Sequence, residues 1–127
     1  TKRRQSAWRT GFVTSFDPVT GVDVVTDSRV EALDTTRVLR EEERRLGRDA
    51  SVFALKEAAL KACGLQPGSW KDVKVSYESG QPTVDVRGFK GSLACSVSHE
   101  NGSTVAVVHG LRFEEEDESE EEHSPHE

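Results

Sequence analysis

The chain has 127 residues, 34% of them hydrophobic and 31% charged, which gives room for one compact domain of about 100 residues and no more. No apolar run reaches membrane-spanning length and no leader pattern of basic head, apolar stretch and small-residue site is present, so the expectation is a soluble, cytoplasmic protein with no membrane partner. The net charge of −6 is unevenly placed: residues 114–127 hold nine acids and no Lys or Arg, while the rest carries 17 bases against 14 acids, a formal +3 that suits an acidic or phosphate-bearing partner.

Residues 1–10, with Lys2, Arg3, Arg4 and Arg9, read as a flexible basic arm. An apolar stretch over Phe12–Phe16 is expected to break at Asp17-Pro18. Gly21-Val-Asp-Val-Val25 then reads as a short buried strand interrupted by one acid. Asp27 or Ser28 can cap a short helix over 29–33, and Thr36 a second helix running to about Leu46 with Gly47 as its stop. The clearest element is a helix over 51–63, rich in Ala and Leu and ended by Gly64. From Lys71 the apolar period becomes two, with Val73, Val75 and Tyr77 on one face. Ser79-Gly-Gln-Pro82 marks a turn before a returning strand, and Asn101-Gly102 joins a second hairpin over 93–98 and 104–109. Residues 114–127 cannot bury anything and repel one another, which predicts a disordered acidic tail. The domain is thus expected over 11–113. Helices first and antiparallel strands later predict an α+β fold, with helices packed on one face of an antiparallel sheet.

Cys63 and Cys95 are too few for a zinc site or a disulfide framework and read as small buried apolar residues. Asp23 is an acid within a run of valines, costly to bury unless it is paired or binds a metal; as a strand-end residue it could equally face water. Glu57 and Lys61 lie four apart and share a helix face, the spacing of a common surface ion pair, yet Lys56-Glu57 interrupts a largely apolar segment. Two oxygen ligands with room left for water and phosphates is how magnesium is usually held. His99, after Ser98, ends a strand where a ligand could be met. No strand interleaves aromatic and basic residues as single-strand nucleic-acid binders do, so no nucleic-acid partner is expected.

The order of these pieces is more specific than any one of them. Gly21-Val-Asp, the Arg29-Val30 pair, Lys56-Glu-Ala-Ala-Leu-Lys-Ala, Trp70-Lys-Asp-Val-Lys-Val, Gly80-Gln-Pro and Ser96-Val-Ser-His follow one another in a pattern that resembles the 4'-phosphopantetheinyl transferase superfamily. Val25, where the larger surfactin-type enzymes tend to carry a second acid, is similar to the small holo-acyl-carrier-protein synthase type.

The resemblance implies transfer of 4'-phosphopantetheine from coenzyme A to a serine of an acyl carrier protein, with magnesium, releasing adenosine 3',5'-bisphosphate. It implies Asp23 and Glu57 as magnesium ligands, Glu57 or a metal-bound water as proton acceptor, and Lys61 as the group on the scissile phosphate. It places Gly64, Pro82, Ser98 and His99 against coenzyme A and Arg29 against the carrier protein. The family's small members are homotrimers with each active site between subunits, which implies a homotrimer here. Two departures stand out. The 34 residues from Asp23 to Glu57 are fewer than usual, and the helix expected before the Ser-x-Ser-His strand is replaced by Arg87–Ser92. With a first residue that is not Met, they leave open a domain of a multidomain fatty-acid or polyketide synthase. They also leave open a non-catalytic domain that only binds the carrier or coenzyme A.

Overall fold

The computed structural model describes residues 11–117; the basic arm over 1–10 and residues 118–127 of the acidic tail lie outside the described residues. Strand β1 runs Gly11–Thr26 without a break at Asp17-Pro18. Proline is tolerated because, among the described residues, β1 pairs only with β5, so one of its edges needs no amide donor. Three short helices follow: α1 (Asp27–Glu31), α2 (Thr35–Val38) and α3 (Glu41–Arg44).

The single helix expected from Thr36 to Leu46 is therefore two. Asp34, not Thr36, caps α2. Leu39 and Arg40 are extended between the two helices, with Leu39 buried. The Glu43 carboxylate accepts from the Arg40 amide at 2.7 Å and starts α3 afresh. Helix α4 spans Asp49–Cys63 and stops at Gly64. Gly64 sits at φ 68°, a left-handed conformation that glycine adopts without penalty.

Strands β2 (Val73–Glu78) and β3 (Gln81–Val86) form a two-stranded antiparallel sheet, reached from α4 through a 3₁₀ turn at Trp70–Asp72. Strands β4 (Gly91–Glu100) and β5 (Ser103–Asp117) join β1 in a three-stranded antiparallel sheet ordered β1-β5-β4. The antiparallel strands thus divide between two sheets, within the α+β class expected. Asn101-Gly102, at φ 55° and 76°, makes the two-residue hairpin that the sequence signals. Residues 114–117, expected in the tail, continue β5 opposite the start of β1. No helix separates β3 from β4.

Helix α4 lies on the inner face of the three-stranded sheet. Its Val52, Phe53, Leu55, Ala58 and Ala59 are fully buried with Val25, Ala106 and Val108 of the sheet and Val73 and Val75 of β2. Closest approach is at Gly21, where an added Cβ would run into the Ala58 carbonyl oxygen and lie 2.6 Å from the Ala62 amide. Both obstacles are helix backbone and cannot swing away. Gly21→Ala is therefore expected to cost at least ~1–3 kcal/mol by forcing β1 off α4. Urea unfolding checks this, and an unchanged midpoint would contradict it.

The outer face of the same sheet has no covering element among the described residues. Val22 and Val24 of β1 and Val105 of β5 are 47%, 58% and 39% exposed there. Ser98 pairs with Val105 and so shares that face.

Candidate active site

Asp23 lies on β1 two residues beyond the contact at Gly21, on the same side of the strand, and is 7% exposed. Its Oδ1 accepts from Lys61 Nζ at 3.0 Å. Its Oδ2 is buried and accepts no hydrogen bond among the described residues. A buried carboxylate oxygen left without a donor is costly, and a hard cation is one group that satisfies it. Lys61 also donates to the Val22 carbonyl at 3.0 Å, which leaves one of its three N–H bonds for a further acceptor. The side chain remains 56% exposed, so that donor is open to solvent.

Glu57 sits one turn before Lys61 on the same face of α4. Its Oε2 accepts from the indole N–H of Trp70 at 2.6 Å, and its Oε1 takes no hydrogen bond among the described residues. Asp23 and Glu57 therefore each present one unclaimed oxygen. No group of three or more His, Cys, Asp or Glu able to hold a metal occurs among the described residues. Any cation held by this pair would need water or substrate oxygens to complete its shell, as magnesium commonly does.

At the other end of α4, His99 Nε2 lies 3.1 Å from Asp27 Oδ1 at the start of α1. His99 also lines a cavity of about 320 Å³ with Gly47, Arg48, Asp49, Ala50 and Ser51, the first turn of α4. That helix start has no side-chain cap. Arg48 rests its guanidinium 4.4 Å from the centre of the Tyr77 ring, and Tyr77 pairs across the hairpin with Pro82.

The fold is shared with solved holo-[acyl-carrier-protein] synthases. The chain is similar to holo-[acyl-carrier-protein] synthase from Helicobacter pylori in complex with coenzyme A, with 27% identity, a TM-score of 0.64, and coverage of 75% of this chain and 99% of that one. It is also similar to the synthase from Bacillus anthracis in complex with CoA (3',5'-ADP), at 26% identity, TM-score 0.66, and coverage of 74% and 96%. The synthase from Thermotoga maritima is 34% identical with a TM-score of 0.61, over 72% of this chain and 62% of that one. No protein-family model matches the sequence, and no curated protein matches it. The chain has the fold of the small holo-[acyl-carrier-protein] synthases and is similar to them in sequence, as the motif order suggests.

Within this synthase fold the expected site residues fall into two groups. Asp23 and Lys61 are in contact, with Glu57 beside Lys61 on α4 and Gly64 capping the helix C-terminus. Pro82 and His99 gather near the helix N-terminus instead. Gly64 and His99 are thus at opposite ends of a 15-residue helix, roughly 22 Å long. Ser98 and His99, expected to act together, point to opposite faces of β4 because adjacent strand residues alternate. Arg29 is exposed on α1, its guanidinium 5.3 Å from the centre of the Phe53 ring.

Sequence reasoning missed the most deeply buried charges. Lys56 and Glu43 are both 0% exposed and form an ion pair at 2.8 Å. Lys56 Nζ donates as well to the carbonyls of Trp70 at 3.1 Å and Val73 at 2.8 Å, and Glu43 Oε2 accepts from the Val75 amide at 2.8 Å. Burial pushes the Lys56 ammonium below its usual range, and the Glu43 carboxylate opposes that. Lys56 within an apolar helix was the available signal; Glu43, in a run of three acids, gave none. Both cysteines are free, and burial raises both thiols, so neither suits a nucleophile. No helix among the described residues is long and apolar enough to cross a membrane.

Proposed function

We propose that the chain transfers 4'-phosphopantetheine from coenzyme A to a serine of an acyl carrier protein in a magnesium-dependent reaction, releasing adenosine 3',5'-bisphosphate. The observation that carries this reading is the buried, unpartnered Asp23 Oδ2 beside Lys61, on a fold similar to coenzyme A-bound synthases. Asp23 and Glu57 would hold the magnesium, which would neutralise charge on the diphosphate. Glu57 Oε1, the oxygen not held by Trp70, would accept the proton of the attacking serine. Lys61 turns its remaining N–H toward the phosphate whose bond breaks and stabilises the departing bisphosphate.

His99 and the uncapped start of α4 suit the phosphate of the nucleotide end, since unpaired helix amides and an imidazole N–H donor both bind anions. Because this group is remote from Asp23 in one chain, we place it against Asp23 of a neighbouring subunit. The apolar outer sheet face, with Val22, Val24, Val105 and Ser98, would be covered in the resulting homotrimer. Arg29, fixed over Phe53, would meet the acidic carrier protein and raise its rate of encounter.

Release of adenosine 3',5'-bisphosphate from coenzyme A, dependent on both magnesium and apo carrier protein, tests the reading. Release in step with carrier modification is expected. Coenzyme A binding without release would favour a non-catalytic binding domain of a larger synthase. Sedimentation equilibrium is expected to give a trimer, and a monomer that retains full activity would contradict the shared site.

A further inference from the structure

We propose that Trp70 is a positioning residue for Glu57, selecting which carboxylate oxygen serves the reaction. The inference rests on the reading of Glu57 as metal ligand and proton acceptor. Trp70 is gripped by two consecutive residues of α4. Its carbonyl accepts from Lys56 Nζ at 3.1 Å, and its indole N–H donates to Glu57 Oε2 at 2.6 Å. Its ring lies 6.3 Å from that of the buried Phe53, which sets the tilt of the indole.

The grip has a rigid base. Lys56 is held in turn by Glu43 and by the Val73 carbonyl, so the segment from Trp70 into β2 is locked to α4. A glutamate on a helix ordinarily samples several rotamers, at a cost when one is selected. Here the indole claims Oε2 and so directs Oε1 to the ligand side. Groups that orient a metal-binding carboxylate in this way commonly change metal affinity or activity by about 10–100-fold when removed.

The test removes the N–H and keeps the ring. Trp70→Phe is compared with replacement of Trp70 by 3-benzothienylalanine, which matches the indole in shape and carries sulfur in place of the N–H, and with Glu57→Gln. The measurements are kcat, KM for coenzyme A, thermal midpoint, and Mn²⁺ affinity by electron paramagnetic resonance with coenzyme A present. Both Trp70 replacements are expected to lower kcat and weaken Mn²⁺ binding about 10-fold or more. KM for coenzyme A should stay within about twofold and the benzothienyl variant should melt within a few degrees of the parent, because packing is unchanged. Recovery of parental kcat and Mn²⁺ affinity in the benzothienyl variant would overturn the proposal, since shape alone would then suffice. If Glu57→Gln itself retains activity, the reading of Glu57 fails and the proposal with it. If Glu57→Gln is inactive and both Trp70 variants are unimpaired, only the proposal fails.

Discussion

Asp23→Ala is expected to lower kcat at least 100-fold while leaving the thermal midpoint unchanged or slightly raised. The two effects have opposite signs for one reason. Asp23 is 7% exposed with Oδ2 unpartnered, so the folded chain without its ligand carries a desolvated charge that stabilises nothing. Its ion pair with Lys61 offsets little, because that lysine is 56% exposed and readily solvated when released. Removing the carboxylate therefore costs the fold almost nothing. In catalysis it removes one of only two protein oxygens proposed for the cation, and several kcal/mol of charge stabilisation correspond to about 10²–10³ in rate. Steady-state kinetics and calorimetry on the same preparation check both halves. A fully active variant would remove Asp23 from the site, and a variant that unfolds would make its role structural.

Glu43→Ala is expected to be the most destabilising single change in the domain, at ~3–5 kcal/mol, because it strands Lys56 as an unpaired buried charge. Small domains are stable by only ~5–15 kcal/mol, so the loss corresponds to a fall in melting temperature on the order of 15–30 °C. The Glu43 carboxylate also accepts the Arg40 and Val75 amides, so α3, α4 and β2 loosen together. Glu43→Gln adds a pH signature. The Lys56 ammonium is already depressed below its ordinary value by burial, and loss of the carboxylate depresses it further. Between the folded and unfolded values the unfolded chain binds more protons, so stability rises with pH across that window. The deficit of Glu43→Gln relative to the parent should therefore narrow from neutral toward alkaline pH in urea titrations. A deficit that widens with pH would contradict the assignment.

The parts of the fold legible in the sequence were those with local causes. The 51–63 periodicity, Gly64 as a left-handed stop and Asn101-Gly102 as a two-residue turn each follow from a few neighbouring residues. The failures had non-local causes. Pro18 reads as a strand breaker until β1 is known to be an edge strand. Thr36 to Leu46 reads as one helix until Glu43 is seen to turn its carboxylate back on Arg40 and across to Lys56 and Val75.

The site divides in the same way. Asp23, Glu57 and Lys61 were singled out by residue type and motif order, and the structure joins Asp23 to Lys61 directly. What places Glu57 was not legible, because the Trp70 indole arrives from a turn 13 residues away. Gly64, Pro82, Ser98 and His99 were grouped because they follow one another in a motif. Opposite ends of α4 and opposite faces of β4 separate them within one chain. Residue type and spacing alone do not say whether a site is closed by its own chain or by a neighbour; the intersubunit site was expected from the resemblance only.

Transfer of phosphopantetheine by the Asp23, Glu57 and Lys61 set is read from the intact mass of an apo acyl carrier protein after incubation with this chain, coenzyme A and magnesium. A gain of one phosphopantetheine on the carrier is expected with the parent chain, and none with Asp23→Ala or after chelation of magnesium. An unmodified carrier in the presence of folded, coenzyme A-binding parent chain would contradict it.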